Sequence, residues 1–164
     1  MSPVIVDTNV AVVANDRHTH AGLDCIMACV NALSEIRNNA CVLVDDRGLI
    51  LDEYARNLSR AGQPGVGDAF FKWLWESQWN PLHCRRIPIT PMEPPRGFAE
   101  FPDDPELAMF DWDDRKFVAT AIASGEEPRI FNATDRDWWE YRIALGRNSV
   151  GVEFLCPELM GRDE

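Results

Sequence analysis

Hydrophobic residues in this chain follow two patterns. Short unbroken runs recur along it: Val4-Ile5-Val6, Ala40 to Val44 (A-C-V-L-V), Ile87 to Thr90 (I-P-I-T), Arg129 to Ala133 (R-I-F-N-A) and Gly151 to Leu155 (G-V-E-F-L). Such a run fits a strand covered on both faces, as in a parallel sheet. Pro88 marks the third as irregular or an edge. Between the runs, apolar residues recur at helical spacing. Leu23, Ile26, Met27, Val30 and Leu33 predict a helix over about 20–36, ended by Asn38 and Asn39. Ile50, Tyr54 and Leu58 predict one over 49–58, after a turn at Gly48. Ala61 to Gly67 is glycine-rich and reads as a loop, and Asp68 is placed to cap a helix from Ala69 to Ser77. Phe117, Val118, Ala121 and Ile122 mark a helix closing at Gly125, and another carries Trp138, Trp139, Tyr141 and Ile143.

Strands alternating with helices predict an α/β fold with a parallel sheet and right-handed crossovers. The segment Pro91 to Pro105 holds five prolines and reads as an extended linker rimming a site. It does not divide the chain, because the part after Pro105 is too short to fold alone. The 164 residues are therefore expected to form one domain, 1–164. The helix over 69–77 is apolar on more than one face, so it is either sandwiched or part of a subunit interface. A homo-oligomer, a dimer, is the assembly expected.

Composition changes this picture in three places. The net charge of −11 argues against a protein that coats nucleic acid by bulk charge, though not against an enzyme acting on it. No apolar run reaches the ~18–20 residues of a membrane span. No basic-then-apolar segment opens the chain, so no signal peptide is expected. The five cysteines (Cys25, Cys29, Cys41, Cys84, Cys156) include no C-x-x-C pair, and reduced thiols in a cytoplasmic protein are the expectation. Cys25 and Cys29 with His18 and His20 form an alternative zinc set. It lacks a second ligand pair at a familiar spacing, and buried helix packing is the preferred reading.

Acids stand where the candidate strands end or helices begin: Asp7, Glu53, Asp114 and Asp135. In an open parallel sheet, ligands bind beyond the carboxyl ends of the strands. Each acid alone also fits a turn or a helix cap, and Asp111, Asp113, Asp45 and Asp46 are read that way. Asp52 is read as lying on a solvated face. Together the four would converge at one sheet edge, where like charges need a positive partner. No lysine or arginine sits beside Asp7 or Glu53 in the sequence. All-oxygen ligands suit Mg²⁺ or Mn²⁺ rather than zinc. Such an ion activates water and neutralises charge building on a phosphodiester.

V-D-T-N at 6–9, L-D-E-Y at 51–54, D-D-R-K-F-V-A-T-A at 113–121 and N-A-T-D-R-D-W at 132–138 resemble, in order, the successive motifs of PIN-domain nucleases. The resemblance implies a three-layer α/β/α sandwich around a parallel sheet of four or five strands, and Mg²⁺- or Mn²⁺-dependent cleavage of RNA. It makes Asp7, Glu53, Asp114 and Asp135 the catalytic metal ligands, with Asp137 an alternative to the last. Thr8 and Asn9 would orient Asp7, and Thr134 would contact phosphate or the ligand shell. The spacer between Glu53 and Asp114 is longer than the family pattern. Many small bacterial members are toxins, which implies an antitoxin as a partner to look for. A plain sheet protein whose acids only cap helices is one alternative, and two others stand beside it. One is an inert PIN-like binding or assembly module. The other is a metal-dependent phosphatase of the haloacid dehalogenase type, which needs an aspartate where this chain has Asn9. Arg136 and Arg129 are the leading candidates for substrate phosphate, followed by Arg85, Arg86, Arg142 and Arg147. The tryptophans are read as core or interface residues before base-stacking ones.

Overall fold

The computed structural model describes residues 1–17 and 21–161. His18 and His20, considered above as zinc ligands, lie outside the described residues. Five strands make one wholly parallel sheet: β1 (Ser2–Val6), β2 (Ala40–Asp45), β3 (Cys84–Ile87), β4 (Arg129–Asn132) and β5 (Gly151–Phe154). Their order is β3-β2-β1-β4-β5. Val4 pairs with Val42 on one side, and Ile5 with Ile130 on the other. Val6, Val42, Leu43, Val44 and Ile130 have no exposed surface, as a sheet covered on both faces requires. Truncating any of the larger ones to alanine would cost about 2–4 kcal/mol.

Helices α1 (Thr8–Ala14), α2 (Leu23–Asn39) and α4 (Val66–Ser77) pack on one another. Helix α3 (Leu49–Asn57) follows β2. Helix α5 (Arg115–Ser124) carries the chain from β3 back across the sheet to β4 and packs on β2, β3 and β4. The short helices α6 (Arg136–Glu140) and α7 (Arg142–Arg147) lead to β5. This is a three-layer α/β/α arrangement, as the strand and helix alternation predicts.

Local readings shift in several places. The short apolar stretch after Asn9 is a helix, α1, buried along most of its length. The third strand lies earlier than predicted. Its end residues Cys84 and Ile87 are buried, while Arg85 and Arg86 lie half-buried between them. The Arg86 guanidinium lies over the Trp79 ring, 4.4 Å from its centroid, in a cation–π contact that covers part of the ring. Helix α4 begins at Val66, before Asp68, because Gly67 lets it close on α1. A Cβ on Gly67 would come within 2.0 Å of the Ala11 carbonyl oxygen. Asp68 therefore sits inside the first turn. Its carboxylate accepts from the Gly65, Ser59 and Asn15 N–H groups at 2.8–3.0 Å. The tryptophan-rich helix is sandwiched through Phe70, Phe71 and Leu74, which are buried.

Helix α2 is rotated from its predicted face. Cys25, Cys29, Leu33 and Ile36 are buried, whereas Leu23 and Met27 are exposed. The reason lies in the thiols. Cys25 is joined to Cys156 by a disulfide across 131 residues, and Cys29 lies close by as a buried free thiol. The expectation of five reduced cysteines is thus overturned, and Cys25 has no thiolate to offer a zinc ion. Cys29, Cys41 and Cys84 remain free and buried.

Among the side chains that tie down the proline-rich linker, Arg115 makes the most bonds. The Arg115 guanidinium is buried and donates to the carbonyls of Pro95, Arg96, Leu107, Ala108 and Phe110 at 2.7–3.4 Å. Phe101, Leu107 and Phe110 anchor the same segment in the core.

Candidate metal centre

Sheet order reverses at β1. From there the chain moves outward through β2 and β3, then returns to the other side of β1 for β4 and β5. Crossovers on either side of such a point leave in opposite directions and open a crevice beyond the strand ends. Asp7 follows the last residue of β1, and Asp135 lies three residues past β4. Both also cap helices: Asp7 Oδ1 accepts the Asn9 N–H at 3.0 Å, and Asp135 Oδ1 the Asp137 N–H at 2.9 Å. Capping fixes the carboxylates without using all their lone pairs.

The two loops are locked together. Asn9 Nδ2 donates to Asn132 Oδ1 at 2.8 Å, and Asn9 Oδ1 accepts the Ala133 N–H at 2.9 Å. Asp114 arrives from a third element. It closes a single 3-10 turn (Trp112–Asp114) capped by Asp111, whose Oδ1 accepts the Asp113 N–H at 3.0 Å.

The result is that Asp7, Asp114 and Asp135 each present a carboxylate oxygen within 4.8 Å of the other two. At that separation each pair of unit charges repels by about 3 kcal/mol in an effective dielectric of ~20. Burial, then the charges of Asp135 and Glu53, push the Asp7 carboxyl up to about 7, against the pull of hydrogen bonds from Asn9 and Trp138. Burial, then the charges of Asp7 and Asp135, push Asp114 still further above the carboxylate range. One oxygen of Asp114, Oδ2, is buried and has no hydrogen-bond partner. Buried acceptors are rarely left so, and an orphan among crowded carboxylates is where a cation belongs. The donors are all carboxylate oxygens, which fits Mg²⁺ or Mn²⁺ and disfavours zinc.

Glu53 is near this trio but not in it. It lines the same cavity of about 520 Å³ with Asp7, Thr8, Asn9, Arg56, Thr134 and Asp135. Its oxygens are already engaged: Oε1 accepts Lys116 Nζ at 2.8 Å, and Oε2 accepts the Thr8 hydroxyl. Thr8 therefore orients Glu53 rather than Asp7. Asn9 meets Asp7 through its backbone, while its side chain spans to β4. Next to Glu53, the buried Tyr54 hydroxyl donates to the Val6 carbonyl and so pins α3 to the end of β1.

Asp137 lies outside the set of mutually close oxygens, and only its N–H reaches Asp135. Asp45 is a turn residue as read, accepting from the N–H groups of Arg47, Leu49 and Ile50 at 2.8–3.0 Å. Arg136 stands exposed at the first position of α6, beside Asp135. Arg129 is misplaced by the sequence reading. It begins β4, so an extended strand carries it to the opposite sheet edge, roughly 10 Å from Asn132 at the far end. There it pairs with Glu153 at 3.4 Å.

Three contributors were not read from the sequence. Lys116, two residues after Asp114, supplies the positive charge the acids lacked. Trp138 Nε1 donates to Asp7 Oδ2 at 2.8 Å with the whole ring buried. Arg56, one turn after Glu53 on α3, lines the rim. Its spacing from Glu53 was the one available signal, since i and i+3 share a helix face.

Compared with known proteins, the chain matches no family model, no curated protein and no solved structure.

Proposed function

We propose that this protein is a ribonuclease that hydrolyses RNA phosphodiester bonds with Mg²⁺ or Mn²⁺. The observation that carries the reading is the three-carboxylate cluster at the sheet's reversal point, with the orphaned Asp114 oxygen inside it. Asp7, Asp114 and Asp135 would hold the ion, which supplies an activated water and a counter-charge for the phosphate. Trp138 and Asn9 hold the Asp7 carboxylate, so its orientation is set before substrate arrives. Lys116 and Thr8 hold Glu53 facing the cavity, where its carboxylate can accept a proton from water. Arg56 at the rim, with Arg136 beside Asp135, offers the cationic groups a phosphate backbone needs.

The motif resemblance favours this chemistry over a phosphatase, because Asn9 spends its side chain joining the two loops. The resemblance also brings an antitoxin partner into the proposal, and a homodimer is proposed alongside it. Among the described residues no helix is long and apolar enough to cross a membrane.

The test is cleavage of structured and unstructured RNA with Mg²⁺ or Mn²⁺, against a chelator control. Wild-type protein should cut only with the ion, and Asp7→Asn should lose at least ~10²-fold in kcat while remaining folded by circular dichroism. Asp7→Asn cutting at the wild-type rate would remove Asp7 from the site.

A further inference from the structure

Beside the acidic cavity lies a second one, of about 190 Å³, lined by Leu49, Asp52, Arg56, Phe98, Trp112, Asp113 and Lys116. Arg56 lines both cavities, and Lys116 joins them through its pair with Glu53. The two are therefore neighbouring compartments of one groove. We propose that the smaller one is a base-stacking subsite, which holds an unpaired nucleobase next to the phosphate being cut. This rests on the nuclease reading above and adds a specificity-determining residue to it: Trp112.

The argument begins with the tryptophan. Trp112 is half exposed, yet it is not loose. The Arg115 guanidinium carbon lies 5.1 Å from its ring centroid and 4.4 Å from that of Phe101, so arginine is packed between two rings. That guanidinium is in turn pinned by the linker carbonyls. Gly97 closes against the ring edge, where a Cβ would come within 3.0 Å of it. A half-exposed ring fixed in this way loses little freedom on stacking, which is what makes an aromatic platform effective.

The size and charge of the cavity then select what enters. Its volume falls below the ~300–1,000 Å³ of pockets that take whole ligands, so it suits one flat ring. Asp52 and Asp113 would repel a phosphate. Their oxygens accept hydrogen bonds, and a base edge offers ring N–H and amino donors. Arg56, between the compartments, is placed for the phosphate that links base to scissile bond. A base paired in a duplex cannot enter, because its edge and both faces are already occupied.

The experiment uses the full chain and a short single-stranded RNA with one cleavage site. Matched oligonucleotides carry an abasic residue at each flanking position in turn. For wild type, one abasic position should raise KM about ten-fold. Trp112→Ala should raise KM by a similar factor on the intact RNA and show no further loss on that abasic RNA. Trp112→Phe, which keeps a ring, should recover most of the affinity. An unchanged KM for Trp112→Ala, or losses that simply multiply, would overturn the subsite while leaving the nuclease reading intact. Absence of metal-dependent cleavage by wild type would sink both.

Discussion

Lys116 Nζ lies 2.8 Å from Glu53 Oε1, both side chains are largely buried, and Glu53 shares its cavity with the carboxylates of Asp7 and Asp135. A fixed cation inside an acidic cluster has two consequences. It stabilises the metal-free fold, and it competes electrostatically with a metal ion. Lys116→Met should therefore separate the two. In chelator, stability should fall by about 2 kcal/mol, since one partner of a partly buried pair is left alone. Affinity for Mn²⁺ should rise several-fold, because the site becomes one charge more negative. Denaturant titration and calorimetric titration with Mn²⁺ check these separately, and a weakened Mn²⁺ affinity would show that Lys116 supports the ligand geometry instead.

Asp114→Asn replaces a buried carboxyl, which the metal-free fold keeps protonated at a cost, by a neutral group of the same shape. In chelator at pH 8 this variant should be more stable than wild type by about 1–2 kcal/mol. Its metal-dependent activity should fall by at least ~10²-fold. Thermal unfolding with and without Mn²⁺ checks the first half: wild type should gain Tm from the ion, and the variant should gain much less.

The raised carboxyls of Asp7 and Asp114 fix how metal-free stability depends on pH. The folded protein holds their protons more tightly than the unfolded chain does. Their contribution is therefore fully present below the unfolded value near 3.8 and is lost as pH rises through the folded values, about 7 for Asp7 and higher for Asp114. Between pH 5 and pH 8, chelator-treated protein should lose at least about 2 kcal/mol. Mn²⁺ should stabilise most at the alkaline end, because binding releases those protons. A flat profile in chelator that Asp114→Asn does not alter would refute the coupling.

The Cys25–Cys156 bridge ties the end of the chain to α2. Cys156→Ser should cost about 2–4 kcal/mol, mainly by freeing the unfolded chain. Thiol alkylation of unreduced, unfolded protein followed by mass measurement should count three reactive cysteines. Five would mean that the bridge does not form in the protein as isolated, and would restore the reducing compartment that cysteine spacing first suggested.

Much of the fold is legible in the sequence because buried parallel strands are written as apolar runs, and V-I-V, C-V-L-V and R-I-F-N all became strands. Strand β3 escaped because C-R-R-I spends half its positions on arginines, whose charged heads are engaged by Glu126 and the Trp79 ring only in the fold. Helix α1 escaped because seven residues are too few to show a period. At the site, Asp7, Asp114 and Asp135 could be read because acids ending strands or opening helices are local features. Their partners could not. Lys116 meets Glu53 across 63 residues and Trp138 meets Asp7 across 131, so these pairs exist only once the sheet order is set. Arg129 was misjudged for the converse reason: closeness in sequence to Asp135 hides the length of a strand.

Arg115 does for residues 95–110 what a neighbouring strand does elsewhere, giving main-chain oxygens their donors. Every amino acid carries such an oxygen, so the tether is blind to which side chains it holds. Met109, exposed on the outside of that stretch, is free to drift by mutation while its path stays constant, whereas Glu106 is held by Arg147. A wall of the groove can thus be rewritten for new substrates without disturbing the machinery behind it.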